Sequence, residues 1–235
     1  LAVKQVPYES HPHPFILFFD SFIVTIVPID SRVPFDSRIY LITGDHPLVI
    51  DAGTGFDSEY CIDIVRRYVN DAPLSIVATH CHFDHIGGIR AFMDAFRCEA
   101  FIGSRDASFI ESGDLHVTVS DMFSSSFSSF PVTSLYDGQI LSTGLHDLRI
   151  IETPGHTCGS ICLYEDSSGF LFSGDTLFSN GFGRVDLPTG SMQDMRRSLS
   201  VLSNIDIKGL FPGHGNVMER YDRASFEQVL SLAGV

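Results

Sequence analysis

The chain has 235 residues, 44% of them hydrophobic and 19% charged, enough to bury a sizeable core without disulfide staples. No linker-like stretch divides it, so one domain over residues 1–235 is expected. Its formal net charge of −14 argues against a nucleic-acid partner, because a phosphate backbone demands basic patches.

In chain order, the His-Pro-His-Pro run at residues 11–14 reads as an extended, solvated arm. Apolar runs predict strands over 16–19, 22–28, 39–43 and 48–51, then a helix over 57–70. A strand over 75–79 leads into Thr79-His80-Cys81-His82-Phe83-Asp84-His85-Ile86-Gly87-Gly88, with four metal-competent side chains in six residues. Extended residues i and i+2 share a face, so His80 and His82 can grasp one metal while Cys81 points away. Asp84 and His85 fall at the start of a helix over 86–96 and offer an oxygen and a nitrogen to a second metal. A strand over 98–102 follows.

Residues 106–131 are rich in Ser and Phe without a clean period. Exposed aromatics of this kind often mark interaction surfaces, so the segment is expected to wall a substrate pocket or to contact a second copy of the chain in a homodimer, the other reading being a surface excursion whose phenylalanines reach the core. The second half predicts strands over 148–152, 160–164, 170–173 and 209–211 and helices over 191–202 and 222–232. Three of its strands end in a glycine-containing turn that carries a metal-competent residue: Pro154-Gly155-His156, Ser173-Gly174-Asp175 and Pro212-Gly213-His214. Glycine lets the backbone turn tightly enough to aim a side chain off a strand end. His80, His82 and His156 would form a three-histidine set with an open position. Asp84, His85 and His214 would form a neighbouring set, and Asp175 could bridge the two. The β-then-α order of both halves predicts an α/β fold, a four-layer αββα sandwich.

Five cysteines, at 61, 81, 98, 158 and 162, are odd in number and include no CxxC pair, which points to a reducing, cytoplasmic setting. Cys61 and Cys98 read as core, and Cys158 as a small buried residue. The apolar run 15–29 is broken by Asp20 and Pro28 and is too short to span a bilayer, so no membrane partner is expected. The chain starts at Leu1 rather than methionine, which leaves a removed leader open. His11, His13, His46, His116 and His146 lack metal-competent neighbours and are given no site role.

The H-x-H-x-D-H run, the later histidine, the Gly-Asp turn and the final Pro-Gly-His-Gly turn stand in the order of the metallo-β-lactamase-fold hydrolase superfamily, across residues 80 to 214. Ile50-Asp51-Ala52-Gly53-Thr54-Gly55 resembles that family's early D-x-G turn. Gly174-Asp175-Thr176-Leu177-Phe178 with Gly183-Arg184-Val185-Asp186 resembles the glyoxalase II-like (hydroxyacylglutathione hydrolase-like) branch. The resemblance implies an αββα sandwich with its site where the strand ends of both halves meet. It further implies two divalent metal ions, zinc foremost, although histidine and carboxylate ligation also suits iron or manganese. The implied reaction is thioester hydrolysis of a small molecule such as an S-acyl-glutathione, by a hydroxide held between the metals and oriented by Asp84, the catalytic carboxylate. A metal brings the pKa of bound water to about 7. Asp51 reads either as a turn residue or as a carboxylate that orients His80 or His82. Arg184 reads either as a loop-holding partner of Asp186 or as a clamp for a substrate carboxylate.

Full glyoxalase II enzymes carry a helical C-terminal domain that helps bind glutathione, whereas about twenty residues follow the His214 turn here, so glutathione dependence is open. Two alternatives remain: a persulfide dioxygenase with one non-haem iron held by His80, His156 and Asp175, and a lactonase of the same superfamily.

Overall fold

The structure is a computed structural model that describes residues 15–19, 22–69, 72–125 and 127–235. The arm expected at residues 11–14 lies outside these. A seven-stranded sheet holds β1 (Phe15–Phe19), β2 (Phe22–Ile29), β3 (Ile39–Ile42), β4 (Leu48–Ile50), β5 (Ser75–Ala78), β6 (Glu99–Gly103) and β7 (Thr133–Leu135), side by side in chain order. Its first four strands are antiparallel and the rest parallel. Parallel neighbours need crossovers, supplied by α1 (Ser58–Val69), by α2 (Phe83–Ile86) with α3 (Ile89–Phe96), and by the segment containing α4 (Ala107–Ser112).

The second sheet has β8 (Ile140–Ser142), β9 (Asp147–Glu152), β10 (Ile161–Glu165) and β11 (Phe170–Gly174) as an antiparallel meander, and β14 (Gly209–Pro212) lies parallel to β11. Between β11 and β14 come the small hairpin β12 (Leu177–Phe178) and β13 (Gly181–Phe182), then α5 (Met192–Leu202); α6 (Arg223–Ala233) closes the order. Ser191 and Asp222 start the last two helices by accepting from the backbone N–H of Asp194 and Ser225.

Alternation along the strands sorts side chains into three apolar layers. Leu48, Ile50 and Val77 join Leu163, Phe172 and Phe211 between the sheets. Val49, Ile76 and Ala78 face α1 and α3, and Cys162, Leu171 and Leu210 face α5 and α6. Three apolar layers separate four layers of structure, which is the expected αββα sandwich. No helix among the described residues is long and apolar enough to cross a membrane.

The helix expected over 86–96 is instead two, because Gly87 and Gly88 interrupt it. A Cβ on Gly88 would lie 2.2 Å from the Ala52 carbonyl oxygen, so this backbone is pressed against the turn after β4. Residues 106–131 hold α4 and a 3-10 turn at Ser120–Phe123, neither announced by periodicity. β7, β8, β12 and β13 were likewise not expected; each is two or three residues long and depends on a neighbouring strand for its pairing.

Candidate metal centre

Most candidate side chains sit just beyond a strand end. Asp51 follows β4; Thr79, His80 and His82 follow β5; Asp84 and His85 lie in α2; His156 lies between β9 and β10; Asp175 follows β11; and His214 follows β14. The last turn is held from the other sheet: the buried Tyr40 hydroxyl donates to Pro212 O (2.7 Å), Arg38 N–H to Gly213 O (2.8 Å) and Arg38 Nη1 to Gly215 O (2.9 Å). Gly213 is required by close approach, since a Cβ there would meet His85 Cε1 at 2.5 Å and Asp175 Oδ1 at 2.7 Å.

These strand ends bring the histidines together. His82 Nδ1 lies 3.1 Å from His80 Nε2 and 2.8 Å from His156 Nε2. The opposite ring nitrogens are engaged: His156 Nδ1 donates to the Arg184 carbonyl (2.7 Å), and His80 Nδ1 lies 3.1 Å from Thr79 Oγ1. Lone pairs on His80 and His156 therefore point at a common centre. Beside them, His214 Nε2 is 3.0 Å from Asp84 Oδ2, which is 3.8 Å from His85 Nε2. Asp175 spans the two groups: its oxygens lie 3.5 Å from His85 Nε2, 3.6 Å from His156 Nε2 and 3.8 Å from His214 Nε2. Among the described residues, three subsets could each hold an ion: His80, His82 and His156; His80, His85 and Asp175; and Asp84, His85 and His214.

Chemistry supports that fit. Among the described residues, His85 Nε2 and Asp175 Oδ1 are buried and find no hydrogen-bond partner, as is the case for His82 Nε2. Leaving such an atom unpaired costs about 1–3 kcal/mol, a penalty that a cation between the imidazole and the carboxylate removes. Burial, and then neighbouring His85 and His156, hold His80 well below the usual imidazole range. Burial and His156 push His82 down to about 3, so both stay in the neutral, ligating form. Burial disfavours charge on His85, yet Asp51, Asp175 and Asp84 outweigh it and hold its pKa well above the ordinary value. His214 is raised against its burial by its bond to Asp84 and the charge of Asp175. The two carboxyls are lowered despite burial, Asp175 chiefly by His85 and Asp84 by His85 and His214. The carboxylates that raise His85 and His214 thus gather negative charge where a divalent cation would be held.

All seven expected metal-competent residues, His80, His82, Asp84, His85, His156, Asp175 and His214, meet in this cluster. Asp51 is buried beside it, but its direct partner is His85 (Nδ1 to Oδ2, 2.8 Å) rather than His80 or His82. It reaches His80 through Thr79, whose N–H and hydroxyl both donate to it (2.8 and 2.9 Å). The Arg184 side chain forms an exposed fork with Asp186 (2.7 and 2.8 Å), while its carbonyl orients His156. Cys81 is buried in the outer core layer, away from the cluster, and Cys158 is half-buried rather than fully enclosed.

One important residue was missed. Asp106 is fully buried and accepts from Cys81 N–H (2.9 Å), Gly159 N–H (2.8 Å) and Thr157 Oγ1 (2.7 Å). It ties the His80–His82 turn to the turn after His156. An aspartate just ahead of the apolar stretch that forms α4 was the only available signal, and it suggests no more than a helix cap. The cluster opens into a cavity of about 420 Å³. An equally large cleft bounded by Asn204, Lys208, Tyr221 and Phe226 contains no histidine or cysteine, so the cluster is the candidate site.

A sequence profile of the Metallo-beta-lactamase superfamily matches residues 32–214. The probable metallo-hydrolase MJ0888 of Methanocaldococcus jannaschii is 36% identical over 195 residues, covering 79% of this chain and 91% of its own. The acyl-coenzyme A thioesterase MBLAC2 of Gallus gallus is 30% identical over 231 residues, covering 85% of this chain and 80% of its own. Among solved structures, TTHA1623 in a di-iron-bound form aligns with a TM-score of 0.68 at 28% identity, over 81% of this chain and 92% of that one.

Proposed function

The chain belongs to the metallo-beta-lactamase superfamily, and from that premise we propose that it is a binuclear metallohydrolase of the glyoxalase II-like kind that cleaves a thioester. The observation that carries this reading is Asp175, whose oxygens lie within 3.8 Å of histidines from both groups. His80, His82 and His156 would hold one ion, Asp84, His85 and His214 the other, and Asp175 both. Two divalent cations, zinc foremost with iron or manganese as alternatives, supply a water that ionises near neutral pH and a Lewis acid that polarises the carbonyl.

The protein's own residues do the rest. Asp51 fixes His85 directly and His80 through Thr79, and the Arg184 carbonyl fixes His156, so the ligating nitrogens are aimed before substrate arrives. Asp84 remains ionised beside His214 and is the carboxylate placed to take a proton from the attacking water. In the overall step the water oxygen bonds to the carbonyl carbon, the carbon–sulfur bond breaks, and its electron pair leaves on sulfur. The thiolate then takes up a proton, giving one acid and one thiol. A thiolate leaves easily, so no strong general acid is demanded of the site.

The thioesterase relative supports the choice of substrate class, and the di-iron-bound neighbour supports two ions. A persulfide dioxygenase using His80, His156 and Asp175 alone would leave the Asp84–His214 pair without a task, and a lactonase would use the same cluster on an oxygen ester. The test is thiol release from acyl-coenzyme A and acyl-glutathione by protein never exposed to chelator. Expected is turnover that a chelator abolishes and added zinc, iron or manganese restores. Metal-replete protein that releases no thiol while consuming oxygen with a persulfide would overturn the thioesterase reading.

A further inference from the structure

Half of the cavity at the metal cluster has no task in the reaction just described. Besides His82, Asp84, His156, Asp175 and His214, its lining is Val119, Met122, Phe123, Phe178, Leu187, Gly183 and Arg184. Among the described lining residues Arg184 alone carries a fixed positive charge, and its guanidinium is already bound by both oxygens of Asp186. Away from the cluster, the cavity therefore presents mainly hydrocarbon and thioether surface.

That surface is built rather than incidental. Phe83 N–H, one residue before Asp84, donates to Thr118 O (2.8 Å), fastening the wall segment to the helix that carries Asp84 and His85. Within the segment, Asp114 Oδ1 accepts from His116 and Val117 N–H (3.0 Å each), and Thr118 Oγ1 donates to Asp114 O (2.7 Å). The Phe123 ring packs on Phe83 with centroids 5.3 Å apart. Val119 has φ 52, a left-handed conformation that a β-branched residue adopts only where its surroundings impose it. Met122 is 67% exposed, a large apolar side chain in water on the cavity lining, and its unbranched thioether can mould to a flexible ligand.

We propose that this wall, centred on Val119, Met122 and Phe123, is a binding site for an aliphatic acyl chain, so that the substrate is a thioester of a linear alkanoic acid rather than of a short hydroxy acid. The assignment rests on the thioesterase reading. A cavity of about 420 Å³ lies in the range of ordinary small-ligand sites, and an apolar chain would cover the wall while its carbonyl lies at the cluster.

Two measurements on the full chain as purified test it. One is kcat/KM for thioesters of a single small thiol, N-acetylcysteamine, from acetyl to decanoyl. The other is calorimetric binding of the corresponding carboxylates, butanoate to decanoate. Each buried methylene should improve both by up to about fourfold until the cavity is filled. Met122→Ser, at an exposed position that does not threaten folding, should lower the decanoyl-to-acetyl ratio by about tenfold, and Met122→Leu should restore most of it. Thioester turnover with no dependence on chain length in either measurement would overturn the acyl wall and leave the thioesterase reading standing. Length-dependent carboxylate binding without turnover of any thioester would keep the wall as an alkyl-chain site and remove the thioesterase reading.

Discussion

Asp106 shows how much of the centre depends on a residue that need not touch a metal. Its oxygens accept three hydrogen bonds of 2.7–2.9 Å from the turns that carry His82 and His156. Asp106→Asn would set an NH₂ against donors and lose one or two of these bonds. The expected cost is about 2–4 kcal/mol of stability, with metal affinity lower by roughly 10- to 100-fold. Denaturant melts and competition with a metal indicator measure the two effects separately. A contrasting buried pair lies away from the site. Glu165 accepts from His146 (2.8 Å), from Ser167 (3.0 Å) and from Ser168. Burial opposes its ionisation, but these bonds lower its pKa below the usual carboxylate range. A lowered folded-state pKa means that the contribution is complete above the unfolded value of about 4.3, and it is lost as pH falls through the folded value. Glu165→Gln should therefore be less stable than the parent at pH 7, with the gap in melting temperature narrowing below pH 4. A constant gap would contradict the pairing.

Among the elements, those that were legible in the sequence were those whose signal is local. The H-x-H-x-D-H run sits in one turn after β5, and the near-continuous apolar runs of β4, β5, β10 and β11 report strands buried on both faces. Legibility ended where structure depends on distant partners. Nothing in Phe83 to Phe96 states that Gly88 must lie against Ala52 and divide α2 from α3. Nothing in residues 106–131 states that Asp106 will meet Cys81 and Gly159, or that Thr118 will hold Phe83. Asp51 was legible as a carboxylate in a turn near the site, yet its choice of His85 depends on how α2 sits over the end of β4. The turn after β14 gives the sharpest test at this scale. A methyl group at Gly213 would press on His85 and Asp175 in a turn that Arg38 and Tyr40 hold in place. Gly213→Ala should cost about 1–3 kcal/mol by overpacking, a fall of roughly 2–4 °C in melting temperature per kcal/mol. It should also reduce metal retention after dialysis, and unchanged retention would show that the ligands tolerate displacement.

For the molecule as a whole, the sandwich places the candidate ligands at one junction while keeping them on separate strands. Asp51, His80, His82, Asp84 and His85 come from the first sheet and its crossover, and His156, Asp175 and His214 from the second. Tyr40 of the first sheet and Arg38, just ahead of β3, support the His214 turn of the second. Closing the two sheets on the layer of Tyr40, Phe172 and Phe211 is thus the same event as assembling the centre. The overall architecture could be read from the order of strands and helices; the identity of the ions and of the substrate could not, because neither is written in any one stretch of chain. The proposed binuclear centre would place two ions in this junction, one of them dependent on His214. Elemental analysis of chelator-free protein, with His214→Ala alongside, tests it most directly. Close to two metal ions per chain, falling toward one in the variant, is the expected result; a single ion per chain, unchanged by the substitution, would overturn the binuclear reading.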